Sequence, residues 1–572
     1  MERWVLLRKG GDFLAMGRRF GISPRLACLI RNREVVGEDQ MERYLNGTIA
    51  DLYDGMLMRD MDRAVDILRE KISEGKKIRV IGDYDIDGVN ATYILLEGLE
   101  RLGAEVDSDI PDRIRDGYGL NIELVERAYR EGVDTILTCD NGIAAAEEIA
   151  CGKRLGMTMI VTDHHEVPYV ETDGEKVYQL PPGDAVIDPK RADCGYPFKG
   201  LCGAAVAYKL MEALYEASGR DSEELDDLIE NVAIATVGDV MDLVDENRIF
   251  VREGLAMLGR SRNLGLNALM ECTGLDKSHI SAYHIGFVLG PCLNAGGRLD
   301  TAKRSLALLR AGSRKEAAVL AGDLKALNDS RKEMTEKAVE EACRQIEGGP
   351  LKEDKVLVVY LPECHESLAG IVAGRLRERY GRPALVLTDG EREVKGSGRS
   401  IEAYHMYEGL NCCAPLLIRF GGHKLAAGLS LERENIPSLR RKLNEICGLG
   451  KEDLGEKVVI DMELPFACIT EAFVKELELL EPFGKGNTKP VFAARGVRPL
   501  NLQILGRNRK VLKMQVEDLG GTRMEALYFG DPEEFRKVLE QKEDGRLSVT
   551  FYPGINEYMG RRSLQIVITH CQ

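Results

Sequence analysis

Between about residue 61 and residue 250 the chain alternates short apolar, β-branched runs with stretches of helical spacing. KKIRVIG (76–82), VDTILTC (133–139) and MTMIVT (157–162) have the length and composition of strands, and ATYILLEGLERLG (91–103) and AAAEEIACGKRLG (144–156) read as helices. This βαβα order predicts a parallel sheet with helices on both faces. Such sheets present their functional groups at the carboxyl ends of the strands. Residues 251–347 read as mainly helical and end in a long charged helix around 313–346, and the Gly-Gly-Pro at 348–350 marks a boundary. A second α/β unit follows, with strands KVLVVYL (355–361) and PALVLT (383–388) around a helix SLAGIVAGRLRERYG (367–381). The tail changes character: VLKMQV (511–516) and LSVTFY (547–552) read as strands, with LGG and GIN as turn clusters, predicting a small β-barrel or sandwich. The expected organisation is a helical lead-in (1–60), a parallel-sheet α/β domain (61–250), a helical connector (251–347), a second α/β domain (348–450) and a C-terminal β domain (455–572).

Composition narrows the function. The 572 residues carry 78 Lys and Arg against 94 Asp and Glu, a net charge of −16, which excludes a general nucleic-acid coating protein and confines any such contact to local basic patches. The 14 cysteines include no CxxC pair and read as reduced thiols, not a disulfide framework or zinc site. No apolar run approaches the ~18–20 residues of a membrane span, and the N-terminus has no apolar signal core, so a cytoplasmic location is expected.

The chemistry concentrates at strand ends. The first strand runs into Gly82-Asp83-Tyr84-Asp85-Ile86-Asp87-Gly88, the second into Asp140-Asn141-Gly142, and the third into Asp163-His164-His165. Asp85 and Asp87, two apart, are expected to share one face of an extended segment. Carboxylates gathered on one sheet edge repel one another and raise their own pKa values, and bound divalent cations remove that repulsion. Oxygen donors with one or two imidazoles suit Mn²⁺ or Mg²⁺, and this many ligands favours two ions, the usual device for displacement at phosphorus. Further on, GPCLNAGGRLDTA (290–302) reads as a Gly-rich loop offering backbone N–H groups and a guanidinium to phosphate, KGSGRS (395–400) as a flexible anion nest with Arg399, and RFGGHKLAAGLSL (419–431) as bringing His423 to the start of a helix or strand.

In their order, DYDIDG, DNG and DHH resemble the DHH phosphoesterase superfamily, and VGDVMDL (237–243) looks like its fourth motif. The resemblance implies that Asp85, Asp87, Asp140, His164 and Asp239 hold two metal ions, with Asp140 bridging and His165 beside them or facing the phosphate. Ile81 stands where some members carry a histidine, leaving that metal position to Asp83, another acid or water. HESLAGIVAGRL (365–376), KGSGRS and GGH look like a DHHA1 domain. The fuller series, with LNAGGRL, FGGH and EPFGKGN (481–487), resembles the RecJ family of bacterial single-stranded-DNA-specific exonucleases over roughly residues 50–570, whose relatives carry an OB-fold in the tail. It implies a 5′→3′ exonuclease releasing 5′-mononucleotides in DNA repair and recombination. Arg298, Arg399, His165 and His423 are then the expected catalytic groups, and Arg113, Asn294, Ser397, Gly421 and Gly422 the expected substrate contacts. Single-strand selectivity has a physical candidate in a cleft between the α/β domains too narrow for a duplex. The tail offers Tyr528, Phe529, Phe551, Tyr552 and Tyr558 for stacking, about half of them expected in the core, and the basic Arg507, Arg509, Lys510 and Lys513. Single-stranded DNA is the expected partner, with a single-stranded-DNA-binding protein and a helicase as possible feeders, and a monomer is expected. Two rivals remain: a DHH–DHHA1 hydrolase of very short oligonucleotides or cyclic dinucleotides, which generally lacks the extra β domain, and a scaffold that has lost its metal ligands.

Overall fold

The structure is a computed structural model that describes residues 3–113, 116–117, 119–172, 174–450, 452–455, 457–506, 510–558 and 560–572. Five strands, β1 (Ile78–Ile81), β2 (Val106–Asp109), β3 (Thr135–Cys139), β4 (Thr158–Thr162) and β5 (Ala185–Ile187), run parallel in the order β2-β1-β3-β4-β5. Every residue of β1 and β3 is buried, which is why these runs are continuously apolar instead of alternating. The strand order reverses between β1 and β3, so the crevice where such sheets bind ligands opens beside their carboxyl ends.

The helix after β1 spans Ile86–Arg101 and starts five residues before the expected 91, because Asp85 caps it. It packs against helices Gly203–Ala217 and Ile229–Gly238. The same apolar core continues into Leu266, Leu269, Leu293, Leu306 and Leu324, so the helices of the 251–347 stretch form one packed body with the first sheet.

The second sheet comprises β6 (Leu357–Tyr360), β7 (Ala384–Asp389), β8 (Val394–Arg399), β9 (Arg419–Gly422) and β10 (Ala426–Leu431), in the order β9-β10-β8-β7-β6. The helix Arg314–Gly348 leads into it and shares apolar contacts with it through Ala342, Cys343 and Ile346.

The tail holds β11 (Met462–Glu463), β12 (Phe492–Leu505), β13 (Val511–Glu517), β14 (Arg523–Tyr528), β15 (Leu547–Tyr558) and β16 (Arg561–Cys571). The pairings β12-β13-β14-β16-β15, with β15 also on β12, close a ring of five strands in the order of an OB-fold. GIN, expected as a turn, lies inside β15. Phe551 is core, Tyr528 packs on Phe535, and Tyr552 lies beneath Lys489, so of the candidate stacking residues with described side chains only Phe529 is largely exposed. Arg507, Arg509 and the Tyr558 side chain lie outside the described residues. The lead-in is not purely helical: Arg3–Leu6 pairs in parallel with Lys457–Ile460, and Leu26, Leu29, Ile30 and Met41 share the core of the C-terminal barrel. None of the 14 cysteines forms a disulfide, and no described helix is long and apolar enough to cross a membrane.

Candidate metal centre and phosphate cleft

The DYDID turn is not extended. Asp85 is the N-cap of helix Ile86–Arg101, accepting from the Asp87 and Gly88 amides at 2.9 and 3.1 Å, and Asp87 lies inside the first turn. The two side chains therefore part company instead of sharing a face. Asp87 reaches the start of helix Gly203–Ala217, where its carboxylate accepts from the Gly203 and Ala204 amides at 2.6 and 2.7 Å. Asp140 ends β3 in the left-handed region at φ 59°, which Asp tolerates better than most residues. Asn141 ties the two strand ends together by donating to the Ile81 and Cys139 carbonyls at 3.1 and 2.9 Å.

The His164 Nε2 atom lies 3.0 Å from Asp140, 3.4 Å from Asp87 and 3.9 Å from Asp239. Two acid groups of donor atoms result, each with all members within 4.8 Å of one another: Asp87, His164 and Asp239 in one, Asp83, Asp85 and Asp140 in the other. Asp140 also groups with His164 and His165 at the same spacing, so it stands between the two centres. Asp83, left open from the sequence, is thus beside Asp85 and Asp140, whereas Ile81 is fully buried in apolar contacts and offers no ligand.

The electrostatics fit cations. Burial and the neighbouring Asp85 carboxylate push Asp83 up to about 8, and burial with Asp87 and Asp85 pushes Asp239 to about 8. Burial drives Asp140 well above the usual carboxylate range, with Asp87, Asp85, Asp83 and Asp239 adding repulsion, and burial raises Asp87 as well. Burial lowers His164, keeping its imidazole neutral and fit to donate a lone pair. Both Asp83 carboxylate oxygens and His164 Nδ1 are buried without a hydrogen bond of normal geometry. Charge-repelled oxygens and a neutral imidazole at this spacing suit Mn²⁺ or Mg²⁺.

His165 differs from His164. Burial alone would lower it, but the Asp163 hydrogen bond at 2.8 Å and the charges of Asp163, Asp239 and Asp87 outweigh this and raise it to about 9. Asp163 also accepts from the Ile143, His164 and His165 amides, and so orients the whole DHH turn. Asp163 was missed as a site residue although it opens the DHH motif. Asp188, just after β5, was missed too; it is buried and raised to about 8 by burial and Asp163, and a strand-end acid in AVIDP was the available signal.

A cationic wall faces the acids. GPCLNAGGRLDTA is not a loop: Gly290–Leu299 is helical, so most of its amides are spent within the helix and Arg298 contributes through its side chain. Its glycines serve close approach; a Cβ on Gly297 would lie 2.2 Å from the Tyr84 carbonyl oxygen, so the helix sits directly on the DYD turn. Burial lowers Arg298 to about 10, with Arg113 and Arg331 adding repulsion and Asp85 opposing it. Asn294, Arg298 and Arg331 line one small cavity of about 130 Å³; Arg331, on the long helix, has no motif to reveal it. KGSGRS is not a flexible nest either. It is the central strand β8, paired on both sides, so its amides are committed and its side chains are what it offers: Ser397 and Arg399, with Lys395 at the cleft paired to Glu366 at 2.7 Å. Arg399 is held by the Gly398 carbonyl at 2.9 Å and Ser397 Oγ at 3.3 Å, and is lowered by burial, Arg377 and Arg113.

Arg113, over the Tyr84 ring at 5.0 Å, reaches from the first α/β unit to a cleft of about 520 Å³ otherwise lined by the second, Ser397 and Gly421 among its residues. Gly422 follows at φ 142°, where a Cβ would meet the Ala426 carbonyl at 2.4 Å. His423 sits in the turn between β9 and β10, before a strand and not a helix. It is exposed, and its only hydrogen bond among the described residues is from its amide to Ala426. The structure brings Arg113, Arg298, Ser397 and Arg399 toward one another but does not seat the His423 ring among them.

A parallel sheet with two acid centres at its switch point, with arginines around them and a second α/β domain following, defines a DHH–DHHA1 phosphoesterase. The family models agree: residues 77–236 match the DHH family N-terminal domain, 353–449 the DHHA1 domain and 460–570 the RecJ OB domain. The chain is 35% identical over 571 residues to a RecJ of Bacillus subtilis, covering 99% of this chain and 70% of the relative, and 34% identical to that of Escherichia coli, covering 96% and 95%. Both relatives are named single-stranded-DNA-specific exonucleases. The crystal structure of Thermus thermophilus RecJ in complex with Mn²⁺ superposes with a TM-score of 0.84 at 28% identity, covering all of this chain and 79% of that one. Its Mg²⁺ complex gives 0.78 at 27% identity, covering all of this chain and 78% of that one. The chain belongs to the RecJ family.

Proposed function

We propose that this protein is a metal-dependent exonuclease that hydrolyses single-stranded DNA from its 5′ end to mononucleotides. The observation that carries the proposal is the pair of acid centres sharing Asp140, with Arg113 over the ring of the adjoining Tyr84 and Arg298 close enough to Asp85 to feel its charge. Asp87, Asp140, His164 and Asp239 would hold one ion, and Asp83, Asp85 and Asp140 the other. Mn²⁺ or Mg²⁺ bound there supplies activation of water and neutralisation of phosphoryl charge. The chain's own groups do the rest. Arg298, Arg399 and Arg113 bind the phosphate, with Ser397 and Asn294 placing it and the Gly421–Gly422 backbone lining the wall. His165, raised to about 9 and tied to Asp163, is protonated near neutral pH and adds positive charge 3.9 Å from Asp140. His423 is assigned to the substrate side, reaching the phosphate when the cleft holds DNA.

The rest of the strand has a place to go. A groove of about 1060 Å³ runs from Gly238 and Val240 to Lys485 and Lys489, past Tyr283 and Phe287, which stack on each other at 4.8 Å and are each 63% exposed. Sequence reasoning missed this pair, since neither residue lies in a charged or Gly-rich motif. Base stacking on aromatic rings is worth about 1–3 kcal/mol per base, so the Tyr283→Ala and Phe287→Ala variants should raise KM for a long single strand by about that free energy. A dinucleotide should be cut at the unaltered rate; steady-state kinetics on both lengths checks this. By family likeness the setting is cytoplasmic DNA repair and recombination, a monomer is the working unit, and a helicase and single-stranded-DNA-binding protein supply the strand.

The raised acids set a pH signature. With folded-state values of about 8, above those of an unfolded chain, Asp83 and Asp239 cost the metal-free fold increasing stability as pH climbs from about 4 to about 8. Ions must displace the protons held there. Mn²⁺ binding near neutral pH should therefore release protons, read by calorimetry in buffers of different ionisation heat, and the Mn²⁺-induced rise in Tm should grow from about pH 6 to about pH 8.

The activity test is digestion of matched 5′- and 3′-labelled single strands and duplexes with Mn²⁺, with Mg²⁺ and with chelator. Mononucleotide release from the 5′ label of the single strand, abolished by chelator, is expected. Cleavage confined to two- or three-nucleotide substrates would favour the short-oligonucleotide rival, and no cleavage under any condition the scaffold.

A further inference from the structure

The segment Glu481-Pro482-Phe483-Gly484-Lys485-Gly486-Asn487 lines one side of the groove at Glu481–Lys485, and from its other side it grips the turn that carries Asp239. The Leu243 amide donates to the Lys485 carbonyl at 2.7 Å, and Lys485 Nζ lies 3.4 Å from Asp242. Gly486, at φ 74°, packs so closely that a Cβ would lie 2.9 Å from Asp242 Cβ, and one on Gly484 would lie 2.6 Å from Leu243 Cδ1. The segment is itself fixed. Asn487 is fully buried, donates to the Leu480 and Pro482 carbonyls at 2.7 and 2.8 Å, accepts from the Tyr44 hydroxyl at 2.9 Å, and pairs by backbone with Gly484 in both directions. Arg248, stacked over Tyr44 at 3.8 Å, donates to the Tyr44, Leu479 and Leu480 carbonyls.

The gripped turn is strained. Val240 adopts φ 58°, a left-handed conformation that a β-branched residue rarely takes, and its side chain is 60% exposed, so packing does not hold it there. Hydrogen bonds on both sides do: Val240 and Met241 amides to Val237 and Thr236 at 3.2 and 3.0 Å, and the Leu243 amide to Lys485. Asp239, immediately before Val240, is the C-cap of helix Ile229–Gly238, and at 3.9 Å it is the farthest from His164 Nε2 of the three acids around that atom. Its placement follows the turn.

We propose that the Glu481–Asn487 segment is a positioning clamp: it holds the 239–243 turn in its left-handed form and thereby sets Asp239 to complete one of the two metal positions. The clamp rests on the reading of Asp239 as a ligand. It also ties the C-terminal barrel, which begins a few residues later, to the metal centre.

The test is Mn²⁺ binding by calorimetry and electron paramagnetic resonance on the full chain, with steady-state kinetics alongside. Gly486→Ala should weaken one of two ions by about 10-fold or more, the scale seen when groups that orient metal ligands are lost. Its kcat should fall at limiting Mn²⁺ and recover in excess Mn²⁺, with KM for a short single strand unchanged. Adding Val240→Gly, which removes the need to enforce a left-handed residue, should restore the affinity. Gly484→Ala, whose Cβ meets only the flexible Leu243 side chain, gives the same readout if Gly486→Ala does not fold. Wild-type affinity for both ions in a folded glycine variant overturns the clamp. In parallel, Asp239→Asn should lose one ion; if it keeps both, the assignment of Asp239 fails, whereas loss in Asp239→Asn with none in Gly486→Ala overturns the clamp alone.

Discussion

Replacing Asp140 by asparagine should lower single-strand cleavage by about 10²–10³-fold, the order reached when a group essential for stabilising transition-state charge is removed. The same substitution should raise the thermal stability of the metal-free protein. The two effects have one cause. Asp140 is buried among Asp87, Asp85, Asp83 and Asp239, and burial with their repulsion drives it well above the usual carboxylate range. Its folded-state pKa exceeds that of the unfolded chain, so ionising it costs the fold stability as pH rises above the unfolded value, and a neutral amide removes that cost. Asparagine tolerates φ 59° as aspartate does, so the strand end keeps its geometry. Single-turnover release from a 5′-labelled strand and thermal melting in chelator read the two effects separately. A variant that lost both activity and stability would mark Asp140 as a structural residue.

Arg298→Ala should lower kcat by about 10²–10³-fold, the range for removing one preorganised donor from a charge-stabilising site. Arg298 is held close to the acids because Gly297 lets its helix rest on the Tyr84 carbonyl. The only hydrogen bond of its guanidinium among the described residues is to the Ser367 carbonyl at 3.2 Å, which leaves further donors of the fork for phosphate. Arg298→Lys should not restore the rate, because an ammonium lacks the fork geometry that pairs with two phosphoryl oxygens. Steady-state kcat and KM of both variants on one short strand check this; an Arg298→Ala variant with raised KM and unchanged kcat would make the residue a ground-state binder only.

The parallel sheet and its acid edge were legible because both depend on short-range signals. Continuous apolar runs of strand length ending in Asp83, Asp140 and Asp163 place carboxylates at one edge whatever the rest of the chain does. Local conformation was less legible where two readings of the same residues compete. Asp85 and Asp87 look alike in an extended segment, but Asp85 is a helix cap, and capping sends the two carboxylates to different centres. The glycines of GPCLNAGGRL suggested a loop; tertiary packing on Tyr84 explains them instead, and the segment stays helical. KGSGRS suggested a nest, but pairing on both sides makes it a central strand. Arg331, Tyr283 and Phe287 carry no local signature at all. They reach the site only because a long helix and a helical turn are folded against it, which no window of sequence records. The lead-in is the same kind of case: its helices pack on a barrel more than 400 residues away in sequence.

The most direct test of the two-centre account is anomalous diffraction from crystals grown with Mn²⁺. Two peaks are expected, one among Asp87, Asp140, His164 and Asp239 and one among Asp83, Asp85 and Asp140, with the Asp140 carboxylate touching both. A single peak with Asp83 and Asp85 unligated, or manganese bound only away from this edge of the sheet, would contradict it.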